Sequence, residues 1–412
     1  MSLVALSELL GVAVRDASGA VRGRVRELAV QPQEHPTRVA FLIVRDGSHD
    51  RMLPSAEVTA YGDDIRTATP AETWPPVPLF DGLLLLKRDL LDQQIIDVHG
   101  RKVVRVNDVE LDAFRANGHP ALTLMSVNVG ARGAVRRLCK GVVPARSLRA
   151  LVQRIPANVI PWEFVDLLET DPARRVKLKI AYKGLARLHP ADIADIVEEL
   201  PPAERESVFE TLDEEVAAEA LEEVEPGIQK AIVESLDSDR AANIVEEMDP
   251  DAAADLLGDL PEDRSGQILQ EMGPAERLEV SQLLAFGEHT AAGRMTTEFV
   301  AVPAEATVDD AIGALKTFEG GYEAMATIYL VGPGRELLGT VPLVKIAVSA
   351  PAIRLSAIAE EPVTCAPDAK DAEVAELFDK YNLITLAVAD AEGRLAGIIT
   401  ADDVIAMLRQ DR

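Results

Sequence analysis

Leu188-His189-Pro190-Ala191-Asp192-Ile193-Ala194-Asp195-Ile196 opens a stretch, running to Leu284, in which an apolar residue returns at every twelfth position. The anchors are Leu188, Leu200, Leu212, Val224, Leu236, Met248, Leu260, Met272 and Leu284. Eight residues after each stands a second apolar series: Ile196, Val208, Ala220, Ile232, Ile244, Leu256, Ile268 and Val280. A fixed internal period marks a repeat architecture. Twelve residues accommodate a helix of about two turns and a tight connection. Asp213, Asp237 and Asp249 follow anchors where an N-cap belongs. Pro202, Pro226, Pro250 and Pro274 recur 24 residues apart, where a first helical turn tolerates proline. The repeating unit is therefore expected to be a pair of helices, stacked four times into an α-solenoid over residues 185–286.

Working outward, the 412-residue chain is long enough for several domains, and 48% of it is hydrophobic. Its net charge of −27 is concentrated. Residues 185–284 hold 28 Asp and Glu against 6 Lys and Arg. That sign opposes phosphate contact and excludes nucleic acid as a partner of this region. It suits cations or basic partners, or a plain solvated surface. The two cysteines, Cys139 and Cys365, exclude a disulfide framework and fit a reducing compartment. No run approaches the roughly 18 apolar residues of a membrane span. The N-terminus has no basic segment followed by an apolar block, so a cytoplasmic protein without a signal peptide is expected.

The first 180 residues alternate apolar and polar positions and are broken by Gly and Asp, as strands and hairpins are. An offset of 81 exposes a duplication: Leu9-Leu10 on Leu90-Leu91, Asp16 on Asp97, Gly19 on Gly100, and Val25–Leu28 on Val106–Val109. Further on, Leu53–Val58 matches Ile160–Val165 at an offset of 107, so the second copy carries an insertion at 130–156. That insertion is basic, with Arg132, Arg136, Arg137, Lys140, Arg146, Arg149 and Arg154. It suits an acidic partner or the acidic solenoid of its own chain, and the contact within the chain is the favoured expectation. The openings Leu-Leu-Gly-x-x-Val-x-Asp-x-x-Gly and Leu-Asp-x-Gln-Ile-Ile-Asp-x-x-Gly make the copies, 1–75 and 79–182, resemble PRC-barrel modules. Such a resemblance implies small closed β-barrels used for docking to a partner, with no chemistry of their own. His35, His49, His99 and His119 have no metal-ligand spacing.

From Ala292 the pattern becomes strand–helix–strand–strand–helix, performed twice, over 290–350 and 351–412. The overall fold class is multidomain α+β: two small β modules, a short-helix solenoid and this βαββα pair. The pair resembles tandem CBS domains, which commonly bind adenine nucleotides such as ATP or AMP. The ribose-holding segment implied by the family is intact in the second copy, Gly397-Ile398-Ile399-Thr400-Ala401-Asp402-Asp403, and would act through Thr400 and Asp403. In the first copy Pro342 and Lys345 replace the hydroxyl and the carboxylate. Thr400 and Asp403 also fit a plain helix cap.

Solenoid followed by CBS pair is similar to the cytosolic half of the MgtE family of magnesium transporters. Leu188–Asp195, Glu247–Leu257 and Ala292–Val300 carry the match, which covers about residues 185–412. The resemblance implies Mg²⁺ ions bridging carboxylates between solenoid and CBS pair, with Glu219, Asp251, Asp255 and Asp403 as the matching ligands. Lys370, Ala372, Asn382 and Ala406 stand where the family has further acidic residues, so fewer ions are expected. The family's transporters continue into a membrane domain, whereas this chain stops at Arg412, and no transport by this polypeptide alone is expected. Independently of the resemblance, Asp251 and Asp255 are i and i+4 on one helix face. Mg²⁺ takes oxygen ligands and often uses only one or two carboxylates.

The expected function is a non-enzymatic regulatory protein, a Mg²⁺-responsive clamp that also reads nucleotide. A homodimer through the CBS pair is implied by the family. The competing readings are an interaction scaffold without ligand control and an accessory subunit of a separate membrane transporter. No Ser-His-Asp or Cys-His grouping and no Gly-rich phosphate loop points to an enzyme.

Overall fold

The two N-terminal copies are interleaved, each pairing its lead-in strand with a strand of the other. The chain, described by a computed structural model over residues 2–77, 82–116, 119–139, 155–168, 182, 184–287, 289–318 and 320–410, divides into two compact units, Met1–Val216 and Ala217–Arg412.

In the first unit, copy one supplies the strands His49–Pro54, Val39–Asp46, Val21–Val30, Ala13–Arg15, Asp64–Thr67 and Val58–Ala60, in that order across a sheet. Copy two supplies Asp108–Ala116, His119–Asn128 and Val159–Pro161, and a second small sheet of Lys102–Arg105, Gln94–Asp97 and Val165–Leu167. The lead-in strands are exchanged. Ser2–Ala5 from copy one pairs antiparallel with Asp108–Ala116 of copy two, Val4 opposite Leu111. Leu84–Leu85 from copy two pairs with Val21–Val30 of copy one, Leu84 opposite Val30.

A buried carboxylate fixes each crossing. Asp108 accepts from the backbone N–H of Ser7 at 3.1 Å and from its hydroxyl. Glu27, its counterpart at the 81-residue offset, accepts from the N–H groups of Lys87 at 2.7 Å and Arg88 at 3.0 Å. Each carboxylate thus satisfies the orphan donors of the short helical turn, Leu6–Leu9 or Leu86–Leu90, that follows the other copy's exchanged strand. Leu28, Leu42, Leu53 and Trp74 share one apolar core with Leu86, Leu90, Leu111 and Val127. The expected pair of closed barrels is therefore corrected: no barrel closes among the described residues, because each copy gives its first strand away.

The hairpin at Asp16–Gly19 forms as expected, with Gly19 at φ +83° and the Asp16 carboxylate accepting from Ser18. In copy two the left-handed position moves from Gly100 to Arg101, at φ 50°. The basic insertion also departs from expectation where it is described. Arg136 pairs with the fully buried Asp108 at 3.2 Å, and Arg137 forks onto Asp92. These two arginines are held by their own module, and residues 140–154 lie outside the described residues. The first solenoid helix, Pro190–Glu199, lies against the Lys102–Arg105 strand, with Arg101 on Asp192 and the Val103 N–H on Glu199.

The second unit holds the helices Pro226–Ser235, Ser238–Val245, Pro250–Asp259, Glu262–Glu271 and Pro274–Leu283. Each packs on the next but one in sequence, which makes 24 residues the stacking unit. The twelfth-position anchors are not helical. Leu236, Leu260 and Met272 end their helices in extended conformation, buried as plugs in the turns. The second series, Ile232, Ile244, Leu256 and Ile268, supplies the helix faces of the core.

The C-terminal βαββα pair follows the expected order closely. Copy one runs Ala301–Pro303, Val308–Lys316, Thr327–Val331, Leu337–Pro342 and Leu343–Val348. Copy two runs Thr364–Cys365, Asp371–Tyr381, Thr385–Ala389, Leu395–Thr400 and Ala401–Gln410. In each copy the first pairing is parallel and the second antiparallel. The copies are also tied across: Thr296 bridges to Ile398, and Glu360 to Thr340.

Candidate functional site

Asp249 and Asp251 flank Pro250 at the start of the Pro250–Asp259 helix, so both carboxylates leave its first turn. Asp249 has the extended backbone of an N-cap, yet its side chain makes no capping bond, and neither does that of Asp237. The Asp249 side chain is thereby available to a cleft, while its N–H donates to the Glu222 carboxylate at 2.8 Å.

That cleft lies within the second unit. Asp249 and Asp251 form one wall, Thr400, Asp402 and Asp403 another, and Thr296, Glu298 and Glu323 the rest. Among the described residues, six carboxylates line it and no Lys or Arg does. Their protonation equilibria record the crowding. Burial, then the Asp403 charge, pushes the Asp251 carboxyl well above the ordinary range. Burial raises Asp403 to about 6, with Asp402 and Asp249 adding to the effect and hydrogen bonds from Thr400 opposing it. Glu222, half-buried and beside Asp249, goes to about 8, chiefly through the loss of solvent around it. Asp249 and Glu298 are also raised, chiefly by burial.

Thr400 donates to Asp403 through both its N–H, at 3.1 Å, and its hydroxyl. The cap geometry considered from sequence is therefore present, with Asp403 as the acceptor. One oxygen of Asp251 is different: Oδ1 is sealed from solvent and has no hydrogen-bond partner. A buried anionic oxygen without a donor is costly. It fits a hard cation, as does a cleft whose charged groups are all carboxylates. No three Asp, Glu, His or Cys side chains among the described residues converge as a ready-made cage.

The four expected ligands do not gather at one point. Asp251 and Asp403 face the same cleft. Asp255, one turn on, instead lies 3.4 Å from Arg294 and is half exposed. Glu219 is exposed and lies outside the cleft lining, reaching it only through its field on Asp249 and Glu222. Sequence reasoning missed Asp249, Glu298, Glu323 and Asp402 as cleft residues. Asp402 was visible in the quoted Gly397–Asp403 segment, and Asp249 in the Asp-Pro-Asp spacing.

Residues 188–289 match the MgtE intracellular N domain, and residues 355–410 match a CBS domain. A magnesium transporter MgtE of Thermus thermophilus is 35% identical over 136 residues, 33% of this chain and 30% of the relative. One from Enterococcus faecalis is 32% identical over 128 residues, 31% of this chain and 28% of the relative. The crystal structure of the cytosolic domain of the Mg²⁺ channel MgtE in complex with ATP is 32% identical, with a TM-score of 0.51. It covers 54% of this chain, which covers 92% of that structure. The C-terminal half of the chain is homologous to the MgtE cytosolic region. A structure of the soluble part of a magnesium transporter agrees, at TM-score 0.53 and 25% identity, covering 56% of this chain and 91% of that one. The chain spans about three tenths of the length of the full MgtE relatives. The matched MgtE domains are regulatory and non-enzymatic. Among the described residues, no helix is long and apolar enough to cross a membrane.

Proposed function

We propose that the MgtE-like half of this chain is a Mg²⁺-responsive clamp, in which a hydrated divalent ion relieves repulsion between the solenoid and the second CBS copy. The observation that carries this reading is Asp251 Oδ1, buried without a donor in a cleft it shares with Asp403. Without a cation, the closed arrangement forces carboxylates together or protonates them. With one, repulsion becomes a bridge. Asp251 and Asp403 would hold the ion, and Asp249, Glu298, Glu323 and Asp402 would supply field and water contacts. Adenine nucleotide belongs to the same reading through Thr400 and Asp403, since one relative was crystallised with ATP. The all-acidic lining favours a nucleotide whose phosphates carry a metal.

A homodimer through the CBS pair accords with the exposed Val344, Val348, Ile405 and Leu408. The N-terminal copies would dock the protein to a partner or a separate transporter, in the cytosol, where the homologous region of MgtE lies. The test is calorimetry and solution scattering during Mg²⁺ titration of the parent and of Asp251→Asn, with and without ATP. Compaction and heat in the parent, both weakened in the variant, support the clamp. Absence of both in the parent leaves a scaffold without ligand control.

A further inference from the structure

A guanidinium stands at the other edge of this junction. Arg294, in the segment leading into the first CBS copy, has Nη1 3.4 Å from Asp255 Oδ2 on the Pro250–Asp259 helix. Its Nη2 is 3.7 Å from Asp371 Oδ2, in the first turn of the Asp371–Tyr381 helix. The side chains of Arg294 and Asp371 are only 13% and 18% exposed, so the group is largely withdrawn from solvent. His289 Nδ1 lies 3.2 Å from the same Asp371 oxygen.

We propose that Arg294 is a tethered cation joining the solenoid to the second CBS copy, performing at Asp255 and Asp371 the bridging that the clamp reading assigns to a free ion at Asp251 and Asp403. The inference rests on that reading for its link to Mg²⁺, and on the geometry alone for the bridge. Asp255 and Asp371 are like charges carried by different elements, and either would repel the other across the junction. A guanidinium is always charged and presents N–H groups on two edges of one plane, so it can serve two carboxylates at once. Being part of the chain, it is present at a fixed effective concentration whatever the ion level. The junction then has one contact that follows the ion and one that does not. Asp255 is accordingly a partner of Arg294 and not a ligand of the divalent ion. Arg294 is a positioning residue, holding the helix that presents Asp251.

The experiment compares the full chain with Arg294→Gln, Arg294→Lys, Asp255→Asn and the Arg294→Gln/Asp255→Asn double variant. Scattering in chelator reports the ion-independent contact, and calorimetric Mg²⁺ titration reports the midpoint. Arg294→Gln is expected to expand the chelated protein and raise the Mg²⁺ midpoint about two- to fivefold, the range of a partly exposed ion pair. Arg294→Lys should restore part of both. Asp255→Asn should move both quantities the same way but less, because the Arg294–Asp371 contact remains. The double variant should shift the midpoint no further than Arg294→Gln, as for residues acting as one pair. The proposal is overturned if Arg294→Gln changes neither quantity. It is equally overturned if Asp255→Asn shifts the midpoint further in the Arg294→Gln background, because Asp255 then binds the ion itself. Should Arg294→Gln fail to fold, Asp255→Asn, at a half-exposed position, decides by scattering in chelator: expansion supports the bridge, and an unchanged size overturns it. A parent without any Mg²⁺ response would refute the clamp, while scattering in chelator would still judge Arg294.

Discussion

Asp251 and Asp255 sit one helical turn apart, and the structure sends them to different partners. Spacing alone put them on one face. It could not show that Arg294, 39 residues further on, captures one of them. Asp403 was legible from its segment, whereas Glu298 and Glu323 come from loops whose approach no local pattern encodes. The raised carboxyls carry a pH prediction. A carboxyl whose folded value exceeds its unfolded one binds more protons when folded, so stability falls as pH rises between the two. For Glu222 that window runs from the ordinary 4.5 to about 8, and for Asp403 from 3.8 to about 6. In chelator, thermal melting should therefore rise as pH is lowered from 8 to 6. Glu222→Gln keeps an acceptor for the Asp249 N–H, and it should melt higher than the parent at pH 8 with a flatter profile. A lower melting point at pH 8 would refute the assignment. Asp108 predicts the opposite kind of effect. Replacing it with Ala strands Arg136 and the Ser7 donors, and should cost roughly 3–5 kcal/mol in urea denaturation followed through the buried Trp74.

Helices of the solenoid were readable because two signals agreed, the proline every 24 residues and the apolar pair every twelve. Pro202, Pro226, Pro250 and Pro274 each begin a helix as expected. What periodicity did not reveal is which series packs the helix and which plugs the turn, since both are buried. Deleting from the helix face, Leu256→Ala should cost about 2–5 kcal/mol, as in a core that cannot collapse around the gap. A second repeat device is polar. Arg205, Gln229 and Arg277 reach back to the carbonyls of Val197, Leu221 and Gln270, closing the end of the preceding helix. Gln229→Ala should lose about 1 kcal/mol, measured by thermal melting, with little change in helix content.

At the scale of the molecule, duplication was plain in the sequence and its consequence was not. An offset of 81 states that two copies exist, but the pairing of a strand depends on which neighbour its edge meets. The reciprocal contacts of Asp108 and Glu27 are the physical reason the first strands cross. Removing Ser2–Ala5 should therefore raise hydrogen exchange at Val109–Ala113, in the opposite copy, and leave Val25–Val30 protected. Exchange that rises at Val25–Val30 first would contradict the crossing. The C-terminal pair repeats the theme more lightly through Thr296 on Ile398 and Glu360 on Thr340.

The crossed strands also decide whether either copy could stand alone. A solitary copy with this layout would have had an empty groove where its twin's leading segment belongs, and a leading segment with nowhere to go. The two copies are therefore halves of one unit, each completed by an arm the other lends, and neither is whole once parted from its mate.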